Sequence, residues 1–336
     1  MYKYILKRVL LSIIVLFGII LISFCITRVI PTDVAAKWAG PKATAEQVAA
    51  ARVELGLDLP YHQQFFNYCG DLLHFDLGKS YITHRPVTTE IMNGLMATVE
   101  LVILADLLGL IAGVFLGMYS AKHKNKFIDY ICRFSSITFV SMPSFWLGLA
   151  LQLIFFGILS LLPLGGRIST AFAVLHQLPD ITGMLLLDSL LTGNFMLFAD
   201  ALKHLILPVI VVSIYPTGLV LRQTRSALLE ILNEDYMTAA KSYGLKDRVV
   251  YWRYALKNCI GPTITAITYA FAYTLTNTCL VEAIFSWPGI GKYIANAVTN
   301  YDFPAIMGTT LFTALVYVIF NLVADIIAAS DPRVRM

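Results

Sequence analysis

From Val9 to Thr27 the chain carries no charged side chain. About 20 apolar residues are enough to cross the hydrocarbon core of a bilayer as a helix. In that solvent every backbone polar group must be satisfied within the segment. Similar apolar runs recur, and they narrow the chain to an all-α polytopic membrane protein. Six transmembrane helices are predicted, at Val9–Ile30, Ala97–Tyr119, Ile137–Ser160, His204–Leu221, Ile264–Phe285 and Ala305–Ala328. Composition agrees: 58% of the 336 residues are hydrophobic and 14% are charged, whereas a soluble domain carries roughly 25% charged residues.

The start, with Lys3, Lys7 and Arg8 ahead of an apolar run, has the look of a secretion signal. The run exceeds a signal core and no small-x-small site closes it well, so residues 1–30 are expected to remain as an anchor. A second apolar stretch, Ile181–Phe198, is interrupted by Gly183, Asp188 and Gly193 and reads as an interfacial or loop helix. Basic residues then set the orientation. Arg222, Arg225, Lys241, Lys246, Arg248, Arg253 and Lys257 share one loop, and Lys122, Lys124, Lys126 and Arg133 another. With six spans both loops lie on the side of the amino terminus and of Arg333 and Arg335. The positive-inside rule makes that side cytoplasmic.

The chain thus divides into 1–30, an extracytoplasmic helical segment at 31–96, and a core at 97–336 with a cytoplasmic loop at 222–262. In the outer segment Thr44 and Gln47 have the spacing of a capping box, Gly56 offers a left-handed stop, and Pro60 can open a helix over Tyr61–Phe75. This subdomain either contacts something outside the membrane or packs as a lid on the bundle.

Enzyme chemistry is not encoded in any motif found. Gly289-Ile290-Gly291-Lys292 has the look of the end of a phosphate-binding loop. But Ser286 stands where the first glycine belongs, Tyr293 follows the lysine, and the loop is predicted to face outside. Metalloprotease and serine-hydrolase signatures are missing. His62, His74 and His84 share the outer segment; they are either plain surface residues or members of a metal site. The five cysteines lack metal-ligand spacing and suggest no disulfide framework. No nucleic-acid partner is expected.

The most informative stretch is Asn233–Pro262. Tyr236–Tyr243 is predicted to form a short helix that Gly244 ends, followed by a second helix over Lys246–Asn258 before Gly261-Pro262 opens the fifth span. Small residues at Ala239 and Ala240 permit close approach of another surface. Asp235-Tyr236-Met237-Thr238-Ala239-Ala240-Lys241, with Gly244 behind it, resembles the coupling loop of ATP-binding-cassette (ABC) importer permeases in the oligopeptide/dipeptide/nickel branch. Ser242 and Tyr243 depart from that pattern. The likeness continues in order through Leu55–Phe65, Asp76–Ser80, Arg85–Val87, Ala97–Leu101, Ser141–Leu149, Val281–Ile294 and Asp331–Arg335, and it points to the B-type permease subunit.

The resemblance implies a type I importer permease fold and a division of labour. The expected partners are a second permease, two cytoplasmic ABC ATPases, an extracytoplasmic solute-binding protein and the bilayer. ATP and magnesium would be bound by the ATPases, and this chain would hold no cofactor. Asp235, Tyr236, Thr238, Ala239, Ala240, Lys241 and Gly244 would dock on an ATPase. The expected location is the cytoplasmic membrane of a bacterium or archaeon, with both termini inside. Peptides are the first substrate choice, then nickel or a metal chelate; glutathione and sugars stay open.

For the pathway, Asp106 is an ionisable residue within a span, either attracting a cationic group or pairing with a polar group on another helix. Tyr269, Tyr273 and Asn277 share one face of the fifth span, predicted to face a partner permease or the pathway. Glu282 lies near the outer end of that span as a further candidate. Pro143, Pro208 and Pro216 are either kinks or passive breaks. Trp287, Pro288, Gly289 and Gly291 are predicted to form an outer-mouth loop, with Trp287 anchored among lipid headgroups. A self-sufficient ion-coupled carrier or channel using Asp106 is the alternative; it predicts inverted repeats, and none is seen.

Overall fold

The computed structural model describes residues 2–29, 33–40, 42–175 and 180–330. The Asp331–Arg335 match, with Arg333 and Arg335, lies outside the described residues.

Helix α1 (Tyr2–Val29) is followed by three outer helices, α2 (Val34–Ala39), α3 (Ala45–Glu54) and α4 (Tyr61–Leu73). The Thr44–Gln47 capping box is present in both directions, and Gly56 has φ +61° just past the end of α3. Pro60 precedes α4, as predicted. Phe24 of α1 packs edge-on to Phe65 of α4 at 5.2 Å, which ties the outer helices to the first span.

Next come α5 (Val87–Lys122), α6 (Phe127–Ser141), α7 (Ser144–Gln152, prolonged by π-type turns over Leu153–Ile158), α8 (Thr170–Leu175), α9 (Leu185–Leu191) and α10 (Phe195–Ile231). They are followed by α11 (Asp235–Ser242), α12 (Asp247–Val249, running through π-type turns at Val250–Ala255 into α13, Leu256–Asn277), α14 (Cys279–Ile284), α15 (Ile290–Asn300) and α16 (Phe303–Ser330).

The spine of the fold is α5 against α10. A methyl group on Gly109 would lie 2.8 Å from Pro216 Cγ, on Gly113 2.7 Å from Val220 Cβ, and on Gly117 2.8 Å from Leu221 O. Three glycines at i, i+4 and i+8 let the two backbones meet without intervening side chains. In a bilayer such close packing substitutes for the hydrophobic drive that lipid removes. The apolar core of Leu101, Ala105, Leu207 and Val211 lies along the same interface.

Several predicted boundaries move. Four described helices are long and apolar enough to cross a membrane: α1 over Leu6–Thr27, α5, α10, and α16 over Phe303–Ile326. The α6–α7 pair adds a fifth if it counts as one span. That pair replaces the predicted third span: the chain bends by 100° at Met142-Pro143. Pro143 thus marks a true break, whereas Pro208 and Pro216 sit inside an unbroken α10. The predicted fifth span falls on α13, which at 22 residues is long enough but is diluted in apolarity by threonines, tyrosines and Asn277. It begins well before Ile264 and gives way to α14 at Thr278. Gly261-Pro262 opens no span; both residues lie within α13, because one missing N–H does not end a helix held by its neighbours. The second span starts at Val87 rather than Ala97. Gly94 lies inside it as a close contact, where an added Cβ would fall 2.9 Å from the Gly289 backbone.

Candidate functional site

Three places carry the predicted site residues. The first is α11, which starts at Asp235 and ends before Gly244, whose φ of +72° is the left-handed stop that glycine favours. Met237 is fully buried and Ala240 nearly so. Met237 belongs to one buried cluster with Leu228, Ile231, Val250, Ala255 and Cys259. Asp235, Tyr236, Thr238 and Ala239 are exposed. Lys241 completes the last turn. The helix is therefore held by one apolar stripe and presents its polar stripe outward. Asn258 donates to the Tyr236 hydroxyl at 3.2 Å, linking α11 to α13.

The second place is the bend between α6 and α7. Met142 and Pro143 form one wall of a cavity of about 270 Å³, and Tyr215, Tyr273 and Asn277 line another. Tyr215 and Tyr273 stack with ring centres 4.0 Å apart. Tyr269, although half-exposed on the same helix, is turned elsewhere; its hydroxyl donates to Asp325 of α16 at 2.9 Å, and Asp325 also pairs with Arg8 of α1 at 3.2 Å. The structure thus brings Tyr273 and Asn277 together and separates Tyr269 from them. Asp106 does not line this cavity. It is 5% exposed, and Thr274 of α13, itself on the cavity wall, donates to its Oδ1 at 3.2 Å, while Oδ2 is buried without a hydrogen-bond partner.

The third place is the outer-mouth loop, where one prediction needs correction. Trp287 is 1% exposed and its indole N–H donates to the Ala97 carbonyl at 2.8 Å. It is a core anchor rather than a headgroup anchor, because the turn folds inward against α5. Glu282 is fully buried. Its carboxylate accepts from the Thr98 hydroxyl at 2.7 Å and from the Gly291 and Lys292 backbone N–H groups at 2.7 and 3.2 Å. Thr98 in turn accepts from the Ile290 N–H at 2.9 Å. A methyl on Gly289 would collide with Glu282 and Thr98, and one on Gly291 would lie 2.5 Å from Cys279 Cα. Both glycines are needed for close approach, since Gly289 has an ordinary φ of −102°. Pro288 remains exposed at the tip.

Two further ion pairs escaped the sequence reading. Arg225 grips Asp129 with two bonds of 2.7 and 2.8 Å, and Ser120 donates to the same carboxylate at 2.6 Å, joining the ends of α5, α6 and α10. Arg167 pairs with buried Glu100 at 2.5 Å and lies over the Trp287 ring at 5.5 Å. Both pairs join residues distant in the chain, so no local spacing announces them. Among the described residues no group of histidines, cysteines and carboxylates is arranged to hold a metal ion.

Residues 113–336 match the family described as binding-protein-dependent transport system inner membrane component, and residues 1–102 match the N-terminal family of the same membrane components. The chain is 41% identical over 323 residues to the probable D,D-dipeptide transport system permease protein of Escherichia coli (strain K12), covering 96% of this chain and 94% of the relative. It is 37% identical to the dipeptide transport system permease protein of Alkalihalophilus pseudofirmus over the whole of both chains. The glutathione transport system permease protein of Salmonella choleraesuis is 31% identical over 100% of this chain and 99% of the relative. The chain belongs to the binding-protein-dependent permease family: it is a multi-pass inner-membrane permease subunit of an ABC importer, a system that implies ATPase and binding-protein partners, and it is not itself the ATPase.

Proposed function

We propose that this permease forms half of a translocation pathway for dipeptides or short peptides, pairing with a second permease across the face that carries Tyr215, Tyr273 and Asn277. The observation that carries this reading is the cavity at the Met142-Pro143 bend. It has two stacked aromatic rings and an amide, groups suited to the planar, hydrogen-bonding backbone of a peptide. The dipeptide names of full-length relatives support the same substrate class. In this reading the chain has six spans, with α13 as the fifth and both termini cytoplasmic. The Asp235–Gly244 segment docks on an ATPase, and residues 31–96 face the solute-binding protein. ATP and magnesium are bound by the ATPase subunits. The carrier alternative draws no support from the relatives, which are transport-system permease proteins.

Calorimetry of the cognate binding protein with dipeptides, glutathione and nickel tests the substrate. Dipeptide binding with no response to nickel is expected, and nickel binding alone would overturn the assignment. Uptake into vesicles lacking the ATPases, driven by an ion gradient, would overturn the importer mechanism.

A further inference from the structure

We infer that the cleft between the end of α5 and the α12–α13 rod binds the phosphate headgroup of an anionic phospholipid in the inner leaflet. The cleft encloses about 290 Å³. Lys122 and Arg248 supply its cations; Phe115, Tyr119, Tyr251 and Trp252 supply its walls. Trp252 meets Phe115 edge-on at 5.5 Å, and Lys122 Nζ stands 5.7 Å from the Tyr251 ring centre. This is the composition of a bilayer boundary, with aromatic rings at headgroup level and basic groups just beyond them. The site rests on the orientation proposed above, which puts Lys122 and Arg248 on the cytoplasmic side.

One carboxylate opposes the proposal, Asp247. It faces Lys122 at 3.9 Å, but both side chains are largely exposed at 72% and 45%. Such a pair is worth little and leaves the ammonium free to turn to a phosphate. Arg248 is exposed. The feature that selects a lipid over a free anion lies along α5. Leu108, Ile111, Phe115 and Tyr119 are all exposed and follow one another at helical spacing, so an apolar stripe leads from the cleft into the span. A headgroup at Lys122 would lay its acyl chain on this stripe.

The position has a mechanical consequence. The π-type turns at Val250–Ala255 put Tyr251 and Trp252 on the cleft while Val250 and Ala255, both fully buried, pack against Met237 of α11. An occupant of the cleft therefore braces the segment on which α11 rests.

The test uses the assembled transporter purified with its partner subunits. Native mass spectrometry reads retained lipid against added phosphatidylglycerol, phosphatidylcholine or inorganic phosphate. Phosphatidylglycerol is expected to be retained selectively. The double variant Lys122→Gln/Arg248→Gln is expected to lose about 30-fold in affinity, from two basic groups near a surface. Lys122→Arg with Arg248→Lys should keep binding, as should the control Lys124→Gln/Lys126→Gln, neighbouring lysines that do not line the cleft. Equal retention by the double Gln variant, equal loss in the Lys124/Lys126 control, or displacement of the lipid by inorganic phosphate would each overturn the site. Because the readout is binding, it stands apart from whether the cargo is a peptide.

Discussion

Replacing Glu282 distinguishes a structural clamp from a pathway charge. In the native loop its carboxylate receives the Thr98 hydroxyl and two backbone N–H groups, all within a region closed to solvent. Glu282→Ala strands these donors. A buried donor left without a partner costs about 1–3 kcal/mol. The Thr98 hydroxyl can rotate to find relief, so the two backbone groups dominate and the expected loss is about 2–6 kcal/mol. Glu282→Gln behaves differently. Its carbonyl oxygen can accept the Gly291 and Lys292 N–H groups, and its amide can donate to Thr98 Oγ1, at a cost of about 1 kcal/mol. Two assays read the difference. Thermal melting of the purified complex should fall sharply for the alanine variant and slightly for the glutamine variant. Maleimide labelling of Cys279, followed on its own peptide by mass spectrometry, should accelerate in the alanine variant, because Cys279 Sγ contacts the Gly291 carbonyl at 3.1 Å and is uncovered when the loop opens. If Glu282→Gln kept the native melting temperature and labelling rate yet abolished transport, the clamp account would be wrong and the charge itself would matter.

Arg225→Ala should destabilise the complex by about 3–5 kcal/mol by leaving the buried Asp129 carboxylate without its fork, and Arg225→Lys should recover only part of this, both read by chemical denaturation. At Gly244 a side chain meets open space, so Gly244→Ile should cost about 1–2 kcal/mol of backbone strain alone; the complex should assemble, while ATP hydrolysis in proteoliposomes should no longer respond to loaded binding protein. Trp287→Phe should lose about 1 kcal/mol with the bond to Ala97, and the native tryptophan should resist aqueous quenchers, whereas free quenching would contradict its burial. Burial pushes the Asp188 carboxyl up, but bonds from Thr182, Ile181 and Gly183 hold it below its usual value. Its contribution should thus be fully present above pH about 4 and fade as pH falls further, a fading that Asp188→Asn should remove from the pH–stability profile.

Much of the membrane architecture was legible because apolarity over a helix length is a local property. α1, α10 and α16 stand where their runs predicted, and so do the capped outer helices α3 and α4. The misreadings have a common cause: each depends on what a residue meets far away in the chain. A tryptophan beside a proline in an outer loop has the composition of an interface anchor, and only its bond to Ala97 shows that the turn folds inward. Asp106 was singled out by its apolar neighbours, but the group it meets, Thr274, stands 168 positions along the chain. The Met142-Pro143 break was ambiguous for another reason. Pro208 and Pro216 carry the same local signal within an unbroken helix, so the outcome is set by the surrounding packing rather than by proline itself.

The glycine seam between α5 and α10 bears on how motion can pass through the subunit. Two helices whose backbones touch at Gly109, Gly113 and Gly117 have little freedom to slide, because any shift in register drives Val220 or Pro216 into the facing turn. They act as one beam, roughly 55 Å long at 37 residues of α-helical rise. α11 hangs from one end of that beam just past Ile231, and the loop clamped on Thr98 is fixed near the other. A push delivered at the nucleotide side would tilt the beam as a whole and arrive at the far side undiminished. Compliance is left to the joint at Met142-Pro143, where the chain is already hinged and the cavity opens.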